Sequence, residues 1–201
     1  MPRLRLQQLV CDRLQPIDLE IGAAEIVCLS GPSGAGKSTL LRAIADLDPH
    51  QGEVWLDEQE QASVPAPQWR SRVGMLAADS LWWFDEVRPH FARVEQEWFQ
   101  MLGFDLHVLD WQVSRLSSGE RQRLALLRLL SHTPNALLLD EPSANLDAEN
   151  TRRVEILIER YRDVQQAPVL WISHDSEQIR RVAQRHCRLE GGHLVIQESN
   201  T

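Results

Sequence analysis

Gly31-Pro32-Ser33-Gly34-Ala35-Gly36-Lys37-Ser38-Thr39 lies between the apolar run Ile26-Val27-Cys28-Leu29 and the helix-forming Leu40-Leu41-Arg42-Ala43-Ile44. The pattern is G-x-x-x-x-G-K-[ST] at a junction of buried strand and helix, the context in which such a loop closes its backbone N–H groups around phosphates. Lys37 is placed to reach the terminal phosphates and the Ser38 hydroxyl to hold Mg²⁺. The N-terminus of the following helix adds partial positive charge. A glycine-rich turn with a chance lysine would not need both flanks; here both are present.

The 201 residues suit one domain, with room for a small inserted lobe. Lysine and arginine number 21 against 29 aspartate and glutamate, a net charge of −8, so no broad basic face is expected and no nucleic-acid partner. Cys11, Cys28 and Cys187 are far apart and not in metal-ligand spacing, which points to buried thiols in a reducing compartment. Met1-Pro2-Arg3-Leu4-Arg5 leads into alternation and does not read as a secretory leader. The apolar runs Leu124-Ala125-Leu126-Leu127 and Ala136-Leu137-Leu138-Leu139 fall far short of the ~20 residues that cross a bilayer, so a protein soluble by itself is expected.

Leu4-Arg5-Leu6-Gln7 and Ile17-Asp18-Leu19-Glu20-Ile21 alternate as half-buried strands do. A helix follows Lys37, a strand covers Glu53 to Leu56 after a turn at Gln51-Gly52, and Val73 to Ala77 reads as a further short strand. The prolines and small residues from Gln59 to Pro67 read as a surface loop. Ser117 to Leu130 carries a helical apolar face with Arg121, Arg123 and Arg128 on the polar side, and Asp147 to Tyr161 repeats the style with an acidic start. Ala136 to Leu139 and Val169 to Ile172 are short, apolar and unalternating, as strands buried on both faces of a helix-covered parallel sheet should be.

Ala136-Leu137-Leu138-Leu139-Asp140-Glu141-Pro142 delivers two carboxylates to the C-terminal edge of such a strand, where open α/β sheets bind ligands. Asp140 is placed to hold Mg²⁺, a hard ion that prefers oxygen ligands. Glu141 points elsewhere and is placed to accept the proton of an attacking water. An acidic turn capping a strand would present the same pair; the phosphate loop favours the chemical roles.

Leu116-Ser117-Ser118-Gly119-Glu120-Arg121-Gln122, Ser143-Ala144-Asn145-Leu146-Asp147 and Ile172-Ser173-His174-Asp175 follow in that order. Together with the phosphate loop and Asp140-Glu141 they make the chain resemble, over nearly its whole length, the ATP-binding cassette family of ATPases. The serine-glycine helix start is physically a second anion site. One fold cannot use both anion sites on one nucleotide, and in this family two cassettes pair head to tail, so that the signature of one closes over the nucleotide held by the other.

The resemblance implies an α/β fold of the P-loop NTPase type, a RecA-like core with an N-terminal antiparallel β subdomain and a small helical subdomain. The core would span 1–77 and 116–201, and the helical part about 78–115. It implies ATP and Mg²⁺, with Gly31, Pro32, Ser33, Gly34, Ala35, Gly36, Lys37, Ser38 and Thr39 around the nucleotide: Lys37 on the β- and γ-phosphates, Ser38 and Asp140 on Mg²⁺, Thr39 near the α-phosphate. Glu141 would be the base, and His174 would contact the γ-phosphate and the attacking water. Ser117, Ser118 and Gly119 would act in trans, with Asn145 and Asp147 along the dimer seam. The implied function is the ATP-hydrolysing subunit of a membrane transporter, a homodimer or a pair with a related cassette, bound to separate integral membrane permease subunits on the cytoplasmic face of the cell membrane.

Two departures from the family stand out. The region Val10-Cys11-Asp12-Arg13-Leu14-Gln15-Pro16 lacks the aromatic residue that stacks on adenine in relatives, leaving Arg13 as a substitute or Cys11 as the stacking place. Ala77-Ala78-Asp79-Ser80 lacks the glutamine that contacts Mg²⁺ and water; Ala78 takes its place and Asp79 is the nearest oxygen donor. Leu81-Trp82-Trp83-Phe84, with Trp98-Phe99 and Trp111, gives an aromatic cluster that suits either the core of the lobe or a docking surface for membrane subunits. The chain ends soon after Gly191-Gly192-His193-Leu194-Val195-Ile196 and reads as a minimal cassette without a regulatory domain. Of the rival readings, a GTPase should show a guanine-reading N-K-x-D segment, which is absent. A P-loop kinase would leave the signature and His174 unexplained. A soluble cassette of DNA repair or translation would bring long insertions or basic surfaces. A non-hydrolysing scaffold cassette is compatible with the missing glutamine.

Overall fold

A computed structural model describes residues 3–197. Its centre is a six-stranded sheet in the order β10-β9-β3-β8-β7-β6, built from β3 (Ile26–Ser30), β6 (Val73–Leu76), β7 (Ala136–Asp140), β8 (Val169–Ile172), β9 (Arg185–Glu190) and β10 (His193–Gln197). The strands from β9 to β6 are parallel, and β10 turns back antiparallel on β9. A second, antiparallel sheet of order β2-β1-β4-β5 joins β1 (Leu4–Val10), β2 (Ile17–Ile21), β4 (Gln51–Leu56) and β5 (Gln59–Glu60).

Every residue of β7 and β8 is buried, and the two-residue period of a strand divides them between two cores. Leu137, Leu139, Val169 and Trp171 face one core, which they share with α4 (Ser118–Leu130), α5 (Ala148–Gln165) and Phe99 of α3 (Gln96–Met101). Ala136, Leu138, Leu170 and Ile172 face the other, with α1 (Lys37–Ile44), the antiparallel sheet and Trp69 of α2 (Ala66–Arg72). Truncating a leucine such as Leu138 in this double-sided packing should cost about 2–5 kcal/mol. All three cysteines are buried free thiols, as expected.

Several local expectations are corrected. Gln51-Gly52 is no turn but the start of β4, where the pairing with β1 slips between Gln7 and Val10. Gly52 adopts φ 85°, and a Cβ there would lie 2.2 Å from the carbonyl oxygen of Gln8, so the bulge requires glycine. The stretch from Gln59 to Pro67 is ordered structure: β5, a 3₁₀ turn at Gln61–Ser63 and the first residues of α2. The buried Gln61 amide ties it down by donating to the carbonyls of Ala43 and Ile44 at the end of α1 (3.1 and 3.2 Å). Arg123 and Arg128 do not simply face water: they are half-buried, Arg123 over the ring of Phe104 and Arg128 over Trp82 and Trp83.

Trp82, Trp98 and Trp111 pack against the one core that holds Phe99, though the rings make separate local contacts. Trp82, Trp83 and Phe84 gather edge-on around the buried His90, Trp98 packs against Tyr161, and Trp111 lies beneath Arg115. Leu81, Trp83 and Phe84 are exposed, whereas Trp82 is half-buried.

Candidate functional site

Parallel register assembles the site. Leu29 of β3 stands opposite Ile172 of β8, which stands opposite Asp140 of β7, so all three strands end on one edge and release their following loops together. The Ser173 N–H donates to Leu29 O (3.3 Å) and the Glu141 N–H to Ile172 O (3.2 Å). The loop Gly31–Gly36, the Asp140-Glu141 pair and His174 thereby share one rim.

In the loop, glycine is required for two different reasons. Gly31 has φ 148° and a Cβ there would lie 2.3 Å from the carbonyl oxygen of Leu189; Gly36 has φ 98° and packs under Leu14. Gly36 is also the N-cap of α1, and no side chain caps that helix. Its first-turn N–H groups, which have no intrahelical acceptor, are therefore left for an anion. The Lys37 ammonium lies across the loop, donating to Gly31 O (2.9 Å) and Pro32 O (3.0 Å). Burial pulls its pKa below the ordinary lysine value, while the carboxylates of Glu141 and Asp140 push the other way.

Asp140 is buried at the end of β7, whereas Glu141 leaves the strand in a left-handed conformation (φ 50°), a strained choice for a residue with a Cβ. Its carboxylate meets His174: Nε2 lies 3.1 Å from Glu141 Oε1. The two residues line one cleft of about 240 Å³ with Ser143, Ser173 and Gln178. The exposed Ser38 hydroxyl and the strand-end Asp140 carboxylate are oxygen donors of the kind that Mg²⁺ takes beside substrate phosphates. A phosphate-bearing nucleotide with Mg²⁺ fits these residues.

Ser117 caps α4 through a capping box: its Oγ accepts from the Glu120 N–H (3.3 Å), and Glu120 Oε2 accepts from the Ser117 N–H (2.9 Å) and Oγ–H (2.8 Å). The Ser117 N–H is the leading cause that holds the Glu120 carboxyl below its usual range. The Ser117 hydroxyl is thus committed within its own helix start. The exposed Ser118 hydroxyl and first-turn N–H groups remain to meet an anion. Ser118 lines a separate cleft of about 310 Å³ with Asp79, Ser80, Arg121, Gln122 and Asn145, a lining that includes no residue of the phosphate loop. Signature and loop do not line this cleft together, and Asp79 lies on the signature's cleft rather than on the one with Glu141.

Asp147 caps α5 by accepting from the Asn150 N–H (2.8 Å). Cys11 is buried in the core and offers no stacking face, while Arg13 is exposed beside the Gly192 turn. Ser143 and Ser173 stand in the quoted segments beside Glu141 and His174 but carried no role there, and Gln178 was missed altogether, because its contact with both depends on α6 (Ser176–Val182) folding back behind the two loops.

Residues 14–144 match the family model described as ABC transporter. The chain is 33% identical over 195 residues to Protein STAR1 of Oryza sativa subsp. japonica, covering 90% of this chain and 56% of that protein. It is 35% identical to the Molybdenum import ATP-binding protein ModC of Albidiferax ferrireducens (89% and 53% covered), and 33% identical to that of Pseudomonas syringae pv. tomato (96% and 58%). The chain thus spans just over half the length of these relatives. Among solved structures, a bacterial Atm1-family ABC exporter with ATP bound superposes with a TM-score of 0.83 at 24% identity, covering 96% of this chain and 38% of that one. The likeness is one of fold.

Proposed function

The chain belongs to the ABC transporter family, and on that premise we propose that it binds MgATP at Gly31–Thr39 and hydrolyses it in a head-to-tail dimer, driving transport through separate integral membrane permease subunits on the inner face of the cell membrane. No helix among the described residues is long and apolar enough to cross a membrane, which fits a subunit that relies on partners for its spans.

The observation that carries the reading is the 3.1 Å contact of Glu141 and His174 on the rim shared with the phosphate loop. Lys37 and the first-turn N–H groups of α1 are placed to orient the β- and γ-phosphates, and Ser38 and Asp140 would hold Mg²⁺. Mg²⁺, when bound, supplies positive charge against the phosphate oxygens as the terminal bond breaks. Glu141 takes a proton from the attacking water as the oxygen bonds to the γ-phosphorus and the bridging oxygen leaves with ADP. His174, with Nε2 3.1 Å from Glu141 Oε1, sits against the carboxylate on the rim and is placed beside the γ-phosphate and the attacking water. Ser118 and its N–H groups, on a cleft that includes no residue of their own loop, meet the γ-phosphate on the partner's loop.

Phosphate release by the purified chain in MgATP tests this reading. Saturable turnover that Lys37→Ala abolishes, together with ATP binding, is expected. Binding without any turnover would instead mark a nucleotide-binding scaffold.

A further inference from the structure

Behind the Glu141–His174 cleft lies a buried carboxylate that hydrolysis as described above does not use. Glu155 of α5 is wholly buried, and four hydrogen bonds converge on it. Its Oε1 accepts from Arg181 (2.8 Å) and from the Gln178 amide (3.0 Å); its Oε2 accepts from Arg152 (2.9 Å) and again from Arg181 (3.3 Å). Burial alone would raise its pKa, but the bonds from Arg181, Gln178 and Arg152 bring it below the usual glutamate value. It is ionised in the fold, and an ionised carboxylate only accepts.

That fact orients Gln178. The amide must turn its Nε2 toward Glu155, which leaves its second N–H and its carbonyl for fixed partners. The N–H donates to Ser143 Oγ (2.8 Å), and Oε1 accepts from Ser173 Oγ (2.9 Å). Ser143 stands two residues after Glu141, in the turn closed by the Ala144 N–H donating to Glu141 O (3.0 Å). Ser173 immediately precedes His174, and its Oγ also accepts from the Asp175 N–H (3.1 Å). One amide therefore holds both loops that carry the hydrolytic pair.

We propose that Gln178, oriented by Glu155, is a positioning residue that sets the separation of Glu141 and His174 by tying Ser143 and Ser173 to a single amide. The inference rests on Glu141 and His174 acting in hydrolysis. Neither Gln178 nor Glu155 belongs to the phosphate loop, so substrate binding through Gly31–Thr39 should survive the loss of Gln178 while turnover should not.

The test compares the full chain as wild type, Gln178→Glu, Glu155→Gln, the double variant and Glu141→Gln. Steady-state hydrolysis gives kcat and KM, and a non-hydrolysable ATP analogue gives affinity. Gln178→Glu sets two carboxylates against each other and should lower kcat about tenfold, as loss of supporting hydrogen bonds around a reactive group does, with KM and affinity within about twofold. Adding Glu155→Gln restores one amide facing one carboxylate and should return kcat to within about threefold of wild type, a coupling that independent sites do not show. If Gln178→Glu does not fold, Ser173→Ala removes one arm of the tie at little cost in volume and should itself lower kcat with KM held. Unchanged kcat in the single variants beside a slow Glu141→Gln would overturn this inference alone. So would a loss of kcat that tracks loss of affinity and melting temperature without rescue in the double variant. Unchanged turnover in Glu141→Gln would overturn the site reading beneath it.

Discussion

His174 Nε2 stands 3.1 Å from Glu141 Oε1 although the two residues lie at the ends of different strands. Parallel pairing of β7 with β8 sets Asp140 opposite Ile172, so each strand spends its last residue in the sheet and presents the next ones on the rim. The left-handed turn at Glu141 then swings its carboxylate out of line with Asp140. Two carboxylates can thus be neighbours in sequence and still face different surroundings, as the roles proposed for them require.

The signature should act on a second chain. Ser118 is exposed at the first turn of α4 and, unlike Ser117, has no capping duty. Ser118→Arg should leave ATP binding to the monomer unchanged and lower hydrolysis at least about 10²-fold, the effect of losing a donor aimed at developing charge. Equilibrium binding beside turnover measures it; a fall in monomer affinity as deep as that of Lys37→Ala would place the signature in cis.

Two glycines of the phosphate loop should respond differently to alanine. At Gly31 the new Cβ would meet the Leu189 carbonyl oxygen at 2.3 Å, whereas at Gly34, with φ 77°, it would meet nothing within 4 Å. Gly34→Ala should cost about 1–2 kcal/mol of local backbone strain. Gly31→Ala adds a clash between β3 and β9 and should cost more, with nucleotide affinity falling in parallel. Thermal melting of both variants checks the order.

Acid should loosen the aromatic segment after β6. His90 Nε2 accepts the N–H groups of Trp83 and Phe84 (3.1 Å each), and its Nδ1–H donates to Val87 O (3.2 Å), an arrangement open only to the neutral ring. Burial lowers its pKa below the ordinary 6.5, and the Arg128 guanidinium works in the same direction. The unfolded chain then takes up the proton first, so this contribution is complete above pH 6.5 and is lost as pH falls below it toward the folded value. Tryptophan fluorescence and melting temperature should decline over that acid range in wild type, and His90→Gln should flatten the decline. An identical pH profile in the variant would contradict the assignment.

The phosphate loop, the buried strands and the acidic pair were legible because each rests on local pattern: Gly31 to Thr39 is a contiguous motif, and Ala136 to Leu139 an unbroken apolar run. The pairing order and register that bring Glu141 to His174 are long-range facts, which periodicity does not carry. Three kinds of element escaped. The residues from Gln59 onward read as loop because Pro65 and Pro67 usually break structure, yet here they open α2, at its cap and first turn. The strand β9 (Arg185–Glu190) carries Arg185, His186 and Arg188, and its polarity hid it although Cys187 and Leu189 are buried. Glu155 lay on the helix expected from Asp147 and Gln178 in a stretch given no element; only the fold shows that they complete each other's hydrogen bonds.

The central claim, that Glu141 is the base beside a metal-holding Asp140, is tested most directly by the steady-state ATP hydrolysis rate of Glu141→Gln at saturating MgATP. The amide keeps the shape and can still meet His174, but it accepts no proton from water. A rate lower by roughly 10²–10⁴-fold, with ATP still bound, is expected. A rate equal to that of the wild type would contradict it.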